Sequence, residues 1–341
     1  MNSVELRAPA KVNLLLKIVG KRKDSYHNIL TIFERISLFD KIKITKIHKG
    51  ISVSSDKFIT SDPKDNIVYK AAALILEHAE VKSGVSINIK KNIPIAGGLA
   101  GGSTDAAAVL IGINRLFGLG ISKKVLMKMG SRLGADVPFF LFDVPFAVGR
   151  QKGDRLEAIK SKQGFWHLLI NPGFHLSTKD AYQSYDFALA HRQGSGSSAD
   201  YLSKCLTTKS GGVKIHSPFE ESMDTSTLLS IPSTLLGMVR EMVSLPNHHP
   251  ERCRRMDFST AESMLHNDLQ DVVIYKKGII GKIIERLATL LGKKAIVSGS
   301  GPSVFCLCKT RKEALGAKTI FLRSMSEREK KLWRVFVART C

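Results

Sequence analysis

Four glycines stand close together in the segment NIPIAGGLAGGSTDAAAVL, at residues 97, 98, 101 and 102. Because glycine lacks a Cβ atom, backbone N–H groups in such a loop can turn inward and a ligand can approach closely. Ser103 and Thr104 follow at the start of a predicted helix, where unpaired N–H groups and the positive end of the helix dipole favour an anion. A di- or triphosphate fits this description. The alternative is a turn whose glycines only let a strand pack tightly on a helix.

The more familiar nucleotide-binding motifs do not occur in this sequence. Ser103 follows Gly102 directly, so there is no G-x-x-x-x-G-K-[ST] motif, and the glycine spacing is not G-x-G-x-x-G. The H-R-D and D-F-G motifs of protein kinases are missing too. The glycine loop therefore predicts a phosphate-binding site of another kind.

Phosphoryl transfer to an alcohol also needs a carboxylate that takes the hydroxyl proton and cations that neutralise the developing charge. Asp136 is a carboxylate in the apolar stretch GADVPFF, where burial without a partner or a task is costly. Lys11 is its natural partner, because an ammonium beside the carboxylate keeps it ionised and can stabilise the nascent alkoxide. Two alternatives stay open: Asp136 can brace a local turn, and Lys11 can be a strand-edge lysine in solvent.

Apolar periodicity predicts the elements that position these residues in the first half of the chain. Val12, Leu14, Leu16 and Ile18 alternate as in a half-buried strand, which puts Lys11 and Asn13 together on its other face. The segments KIKITKIH and VSINIKK predict further strands, and DNIVYKAAALILEHAE predicts a helix. Two more helices are predicted from their spacing and caps, one from the glycine loop to Gly118 and one from Ser122 to Gly134. The second helix places GADVPFFL just past its C-terminus.

The second half of the chain is also mixed α and β. Five apolar residues share one predicted helical face: Ile280, Ile283, Ile284, Leu287 and Leu291. KAIVSGSGPSVFCLC predicts strand, glycine turn and strand, and a final helix and the strand RVFVA follow. Loss of pattern places a domain boundary near residue 160, giving domains 1–160 and 161–341. The polar segment around 183–261, which includes HRQGSGSSAD and KSGGVKIHSPFEESMDTSTLLS, predicts loops or a surface insertion.

Composition bounds the class of protein. The 341 residues carry a formal charge of +22, which favours anionic partners such as nucleotides or nucleic acid. The basic residues are dispersed, with local clusters in ERCRR and EREKKLWR. Five cysteines, an odd number, argue for a reducing compartment; Cys306 and Cys308 have the wrong spacing for zinc. No signal peptide pattern and no apolar segment of about 18 residues is present, so we expect a soluble cytoplasmic protein.

Four blocks, in this order, resemble those of the GHMP small-molecule kinases: PAKVNLLLKIVGKRKDSYHNILTIFERISLFD, IPIAGGLAGGSTDAA, GADVPFFL and SGSGPSVFCL. The resemblance implies an α+β, two-domain GHMP kinase fold, with an N-terminal domain like ribosomal protein S5 domain 2 and a ferredoxin-like C-terminal domain. It implies ATP and Mg²⁺ as cofactors, Asp136 as general base and Lys11 as its partner. It also implies that Asn66 contacts adenine, that Ser103 is a Mg²⁺ ligand, and that ATP binds the whole loop: Pro94, Ile95, Ala96, Gly97, Gly98, Leu99, Ala100, Gly101, Gly102, Ser103 and Thr104.

More narrowly, GKRKDSYHNILTIFE resembles the family members that phosphorylate the C2 hydroxyl of a cytidine diphosphate methylerythritol, in non-mevalonate isoprenoid biosynthesis. This resemblance implies a pyrimidine pocket in which Tyr26 stacks on the base and His27 fixes its edge. It implies that Thr178 and Tyr182 close the pocket and that Asn13 contacts the polyol. Without the family, a core or surface aromatic is the simpler explanation of Tyr26.

Alternatives of function also stay open. Another GHMP kinase, acting on homoserine, mevalonate or a sugar, shares every motif except Tyr26-His27. A basic RNA-binding protein is suggested by the charge, although nucleic-acid binding gives no reason for these motifs in this order. We expect a small-molecule substrate, no nucleic acid and no membrane, in a monomer or homodimer. The loop departs from many family members at Ala96 and Ala100, where they have glycine, which reduces the room for phosphates.

Overall fold

A long antiparallel pair of strands, β1 and β2, forms the centre of the first sheet. The structure is a computed structural model that describes residues 1–161, 163–192 and 256–341. The first sheet has the order β3-β4-β2-β1-β8, and β5 pairs with both β2 and β6. Its strands are β1 (Ser3–Lys21), β2 (His27–Ile47), β3 (Ile51–Ser55), β4 (Gly84–Lys90), β5 (Phe146–Gln151), β6 (Arg155–Ala158) and β8 (His266–Asn267).

Helices cover one face of this sheet and bury most of the first core against it. They are α1 (Ile67–His78), α2 (Gly101–Phe117), α3 (Lys123–Leu133) and α4 (Val137–Phe142). Ile44 and Ile87 from the sheet meet Ala107 and Leu110 of α2 in one buried cluster. The alanines that follow the glycine loop are therefore the small residues that let α2 lie close to the sheet.

The second sheet is antiparallel, with the order β11-β7-β10-β9. Its strands are β7 (Trp166–Asn171), β9 (Ala295–Val297), β10 (Val304–Cys308) and β11 (Arg334–Arg339). The helices of the second half are α5 (Thr178–Arg192), α6 (Phe258–Ser263), α7 (Gln270–Lys276), α8 (Gly278–Leu291), α9 (Arg311–Arg323) and α10 (Glu327–Leu332). A core shared by the two sheets joins them, with Val12 and Leu14 of β1 packed among Leu169 and Phe305 of the second sheet.

One expectation about β1 is wrong. Its middle is buried on both faces, since every residue from 11 to 18 is buried, including Lys11 and Asn13. Two segments distant in sequence cause this: β8 pairs with β1 at Leu15 and Leu16, and the backbone N–H of Lys11 donates to the carbonyl of Leu99 in the glycine loop, 3.1 Å away. Lys11 is therefore not a strand-edge lysine in solvent.

The other predicted elements are found with small shifts. Gly118 ends α2 in the left-handed region, and Ser122 caps α3. The predicted boundary near residue 160 falls between β6 and β7, although β8, from the second half, joins the first sheet. Of the predicted 183–261 insertion, residues 183–192 belong to α5 and Ala261 is buried in α6; ERCRR, KSGGVKIHSPFEESMDTSTLLS and all but the first two residues of HRQGSGSSAD lie outside the described residues. In the described part of the chain, no helix has the length and apolar character needed to cross a bilayer.

Candidate active site

A cleft of about 810 Å³ opens between the glycine loop, the tip of the β1–β2 hairpin and α5. Its volume lies in the range of about 300–1,000 Å³ usual for small-molecule sites. Most of the residues predicted from the sequence line it: Lys11, Asn13, Tyr26, His27, Ala96, Gly97, Gly98, Ala100, Gly101, Gly102, Ser103, Asp136, Thr178 and Tyr182. Residues from five separate segments of the chain therefore converge on one cavity.

Lys11 and Asp136 meet in this cleft. The Lys11 Nζ lies 3.6 Å from the Asp136 Oδ2, and the lysine side chain is 5% exposed against 30% for the aspartate. The Lys11 ammonium donates to the Asn13 Oδ1 at 2.6 Å, and the Asn13 amide nitrogen in turn donates to the Thr31 hydroxyl at 2.8 Å. The lysine is thus fixed in place while the carboxylate remains open to the cavity.

Asp136 is positioned by the turn between α3 and α4. It occupies the N-cap position of α4, but its side chain makes no capping hydrogen bond there. By contrast, Ser122 caps α3 with its hydroxyl. The Asp136 carboxylate is therefore not used to brace the local turn, and it can accept a hydrogen bond or a proton from a molecule in the cleft.

The glycine loop has two parts with different roles. Gly97 and Gly98 touch the turn that follows β9: a Cβ on Gly98, whose φ is +74°, would lie 2.1 Å from the Ser298 carbonyl oxygen. The Ser298 hydroxyl donates to the Gly98 carbonyl at 3.0 Å. These two glycines permit close packing between the two halves of the chain, which is the alternative raised from the sequence.

The second part of the loop is the start of α2. The helix begins at Gly101, and its N-cap, Ala100, makes no side-chain capping hydrogen bond. Gly101, Gly102 and Ser103 all line the cleft. The N-terminal end of a 17-residue helix, where the first N–H groups have no partner within the helix, therefore borders the cavity. This arrangement fits the terminal phosphates of a nucleotide.

Both alanines that replace glycine in the loop have a left-handed backbone. Ala96 has φ +52° and Ala100 has φ +56°, a conformation that costs a residue with a Cβ about 1–2 kcal/mol.

We expect Ala96→Gly and Ala100→Gly each to raise the free energy of unfolding by about 0.5–1 kcal/mol, because the relief of strain exceeds the entropy that glycine adds to the unfolded chain. Urea denaturation measures this. The control is Ala73→Gly in α1, which should lower stability by about 1 kcal/mol; a loss of stability in all three variants would contradict the strain.

The far end of the cleft is aromatic. Tyr26, at the hairpin tip, is 57% exposed, and the Lys152 Nζ lies 5.1 Å from its ring centroid. The His27 ring stacks on Tyr182 with 4.9 Å between centroids. Burial, with the charges of Asp136 and Asp268, raises the pKa of Tyr182, so this ring stays neutral. Thr178 is tied to Ser300 by a hydroxyl–hydroxyl hydrogen bond of 2.8 Å.

Several predicted ATP-binding residues lie outside the lining of the cleft: Pro94, Ile95, Leu99, Thr104 and Asn66. Leu99 is in the core, and the buried Thr104 hydroxyl has no hydrogen-bond partner among the residues that the structure describes. The Asn66 side chain caps α1 by accepting from the Val68 N–H at 2.9 Å. The structure therefore gives Asn66 a structural task, and its contact with adenine stays a prediction.

The cleft offers side-chain oxygens that could contact a divalent cation. Within the described residues, no group of three or more His, Cys, Asp or Glu side chains could hold a metal ion. Mg²⁺ usually keeps several waters and binds phosphates together with one or two protein oxygens. The Ser103 hydroxyl is such an oxygen in the lining.

A buried ionic cluster behind the glycine loop was not predicted. Lys91 donates to Asp105 on α2 at 2.7 Å and also to Asp40. Asp40 additionally accepts from the backbone N–H groups of Asn92 and Ile93. In the described part of the chain, the Asp105 Oδ1 has no hydrogen-bond partner. Burial outweighs the attraction of Lys91 and, with the charge of Asp40, raises the pKa of Asp105 to about 7. The sequence feature that could have indicated this cluster is a single aspartate, Asp105, in the alanine-rich predicted helix.

This raised pKa predicts a pH dependence of stability. Between about pH 4 and pH 7 the folded chain keeps a proton on Asp105 that the unfolded chain releases, so the free energy of unfolding falls as pH rises through this window. We expect Asp105→Asn to remove this fall. The free energy of unfolding of the variant, relative to that of the wild type, should therefore rise by up to about 4 kcal/mol between the two ends of this pH window. Urea denaturation at a series of pH values measures the difference. The exposed Asp65→Asn is the control, and parallel pH curves for Asp105→Asn and the wild type would contradict the assignment.

The comparison with known proteins agrees with this fold. Residues 66–144 match the family description "GHMP kinases N terminal domain", and residues 245–325 match "GHMP kinases C terminal". The chain belongs to the GHMP kinases, a family of ATP-dependent small-molecule kinases. The predicted α+β GHMP kinase fold is confirmed.

Within this family, the chain is similar over nearly its whole length to 4-diphosphocytidyl-2-C-methyl-D-erythritol kinases. It is 32% identical to that of Syntrophus aciditrophicus (strain SB) over 338 residues, which cover 99% of each chain. It is 35% identical to that of Geobacter metallireducens over 318 residues, 93% of each chain. A crystal structure of 4-(cytidine 5'-diphospho)-2C-methyl-D-erythritol kinase superposes with a TM-score of 0.64 at 24% identity over 98% of each chain. The L. major mevalonate kinase gives 0.62 at 13% identity over 99% of this chain and 95% of that chain, which establishes a shared fold.

Proposed function

We propose that this protein transfers the γ-phosphoryl group of ATP to the C2 hydroxyl of 4-diphosphocytidyl-2-C-methyl-D-erythritol, a step in non-mevalonate isoprenoid precursor biosynthesis. The observation that carries the proposal is the meeting of Lys11 and Asp136, 3.6 Å apart, in a cleft that is also lined by the start of α2 and by aromatic side chains. Relatives with this activity in their names match nearly the whole chain.

The chain's own residues divide the chemistry among them. The Asp136 carboxylate, free of any capping bond, takes the proton from the substrate hydroxyl as the oxygen attacks phosphorus. The Lys11 ammonium, fixed by Asn13 at 2.6 Å, keeps that carboxylate ionised and neutralises charge on the developing alkoxide. Backbone N–H groups at the start of α2 hold the terminal phosphates.

Mg²⁺, when bound with ATP, supplies positive charge that offsets the charge on the β- and γ-phosphate oxygens. Ser103 is the residue that we assign to hold it. In the same proposal, Tyr26, His27, Thr178 and Tyr182 receive the cytidine end of the substrate, and Asn13 contacts its polyol. The enzyme acts in the cytoplasm without nucleic acid or membrane as a partner.

An ADP-release assay with purified protein tests this proposal. Turnover is expected with 4-diphosphocytidyl-2-C-methyl-D-erythritol and not with homoserine, mevalonate or a sugar. Cytidine 5′-diphosphate is expected to compete with the substrate, because it fills the aromatic end of the cleft. Turnover with one of the other alcohols, together with no competition at millimolar cytidine 5′-diphosphate, would assign the protein to another GHMP kinase activity.

A further inference from the structure

One face of α5 holds the imidazole of His27 from two directions. Tyr182 and Asp186 are four residues apart on this helix, so their side chains lie on the same face. The Tyr182 ring stacks on the imidazole, with centroids 4.9 Å apart and an angle of 22° between the planes. The Asp186 Oδ1 lies 2.6 Å from the His27 Nε2. The plane and the rotation of the ring are therefore both fixed.

Asp186 also binds the other strand of the hairpin. Its Oδ2 accepts from the Lys21 Nζ at 2.7 Å. Lys21 ends β1 and His27 begins β2, so one carboxylate ties both strands of the hairpin that carries Tyr26 to α5. Lys21, His27 and Asp186 all line the cleft.

The hydrogen bond to Asp186 decides which nitrogen of His27 carries the proton. An ionised carboxylate only accepts, so Nε2 is the protonated nitrogen, and in a neutral imidazole Nδ1 is then an acceptor. Among the side-chain hydrogen bonds of the described residues, the one that the His27 imidazole makes is to Asp186 through Nε2. Because His27 lines the cleft, Nδ1 is left for a molecule bound there. An acceptor at this position matches the exocyclic amino group of cytosine and opposes the carbonyl oxygen that uracil has in its place.

We propose that Asp186 is a positioning residue that makes the site select cytosine over uracil, by fixing His27 with Nε2 protonated and Nδ1 as an acceptor. This inference rests on the proposed function, because it assumes that the aromatic end of the cleft receives a pyrimidine nucleotide. It adds a residue that acts through His27, and it gives the reason for the base preference.

The amide variant Asp186→Asn provides a sharp test. The Lys21 ammonium takes the single amide oxygen, so the amide N–H faces Nε2, and the proton of the imidazole moves to Nδ1. Nδ1 then becomes a donor that suits uracil. Calorimetry with cytidine and uridine 5′-diphosphates is expected to show that the wild type prefers cytidine, and that Asp186→Asn lowers this preference at least about tenfold, as expected for one hydrogen bond gained and one lost. The preference of Asp186→Ala for cytidine 5′-diphosphate is expected to lie between those of the wild type and Asp186→Asn.

Asp180→Ala is the matched control, since Asp180 lies on α5 and outside the lining of the cleft. It should leave both affinities unchanged. In the ADP-release assay, Asp186→Asn should raise KM for the cytidine compound about tenfold with kcat within about threefold of wild type, because its effect is on ground-state binding. If the wild type turns over the cytidine compound and Asp186→Asn keeps the wild-type preference between the two nucleotides, the inference is wrong and the proposed function stands. If the wild type neither turns over the compound nor binds cytidine 5′-diphosphate, both fail.

Discussion

Asp136→Asn is expected to lower kcat by about 10³- to 10⁴-fold, at the upper end of what general base catalysis contributes. The amide has nearly the shape of the carboxylate but cannot take the hydroxyl proton. ATP affinity should stay within about threefold of wild type, because phosphate binding depends on the start of α2 and not on this carboxylate. Single-turnover ADP release and calorimetry with ATP measure the two quantities separately.

Asp143→Asn is the matched control for this variant. Asp143 lies at the other end of α4, with φ +59° and a side chain 67% exposed, bonded to Arg35 at 2.6 Å. Asparagine tolerates this left-handed backbone, so the control should keep the wild-type kcat. If Asp136→Asn also turned over at a near-normal rate, the base would have to be another group.

Lys11→Met is expected to lower kcat by about 10²- to 10³-fold, the usual cost of removing one group that stabilises charge in the transition state. Methionine is flexible and close to lysine in volume, so it can fill the buried position. It removes the ammonium from between Asp136 and Asn13, and the reaction then lacks its cation next to the attacking oxygen. Single-turnover ADP release gives the rate, and thermal unfolding reports whether the fold is kept.

Lys17→Met controls for the loss of a buried lysine from the same strand. Lys17 is also buried in β1, with its Nζ 3.8 Å from Asp268, and it does not line the cleft. Its loss should lower stability without lowering kcat by more than about threefold, since it lies outside the lining of the cleft. Equal rate losses in the two variants would mean that Lys11 acts through the fold alone.

The sequence was sufficient to predict many of the residues that line the cleft, because these residues belong to short motifs. The glycine loop, the Asp136 turn and the alternation around Lys11 each have a local signal, and the structure brings all three to one cleft. The helix ends at Gly118 and Ser122 were also predictable, since caps are set by single residues. These signals identify residue types and spacing, and they require no knowledge of distant contacts.

The features that could not be predicted are long-range contacts. Burial of both faces of β1 depends on β8 and on the carbonyl of Leu99, far along the chain. The Lys91 cluster draws one carboxylate from β2 and another from α2. Asp186 lies on α5, which has little apolar periodicity, and its partner His27 is in the β1–β2 hairpin. In each case the partner of a polar residue is set by packing between elements, which local spacing does not encode.

The central claim is that Lys11 and Asp136 act as one unit on one hydroxyl, and a double-mutant cycle tests it most directly. Single-turnover rates are measured for the wild type, Asp136→Asn, Lys11→Met and the variant carrying both changes. Residues that act on the same proton transfer are strongly non-additive, so the double variant is expected to be within about threefold of the slower single variant. Rate losses that multiply in the double variant would show that the two side chains act independently, which contradicts the account.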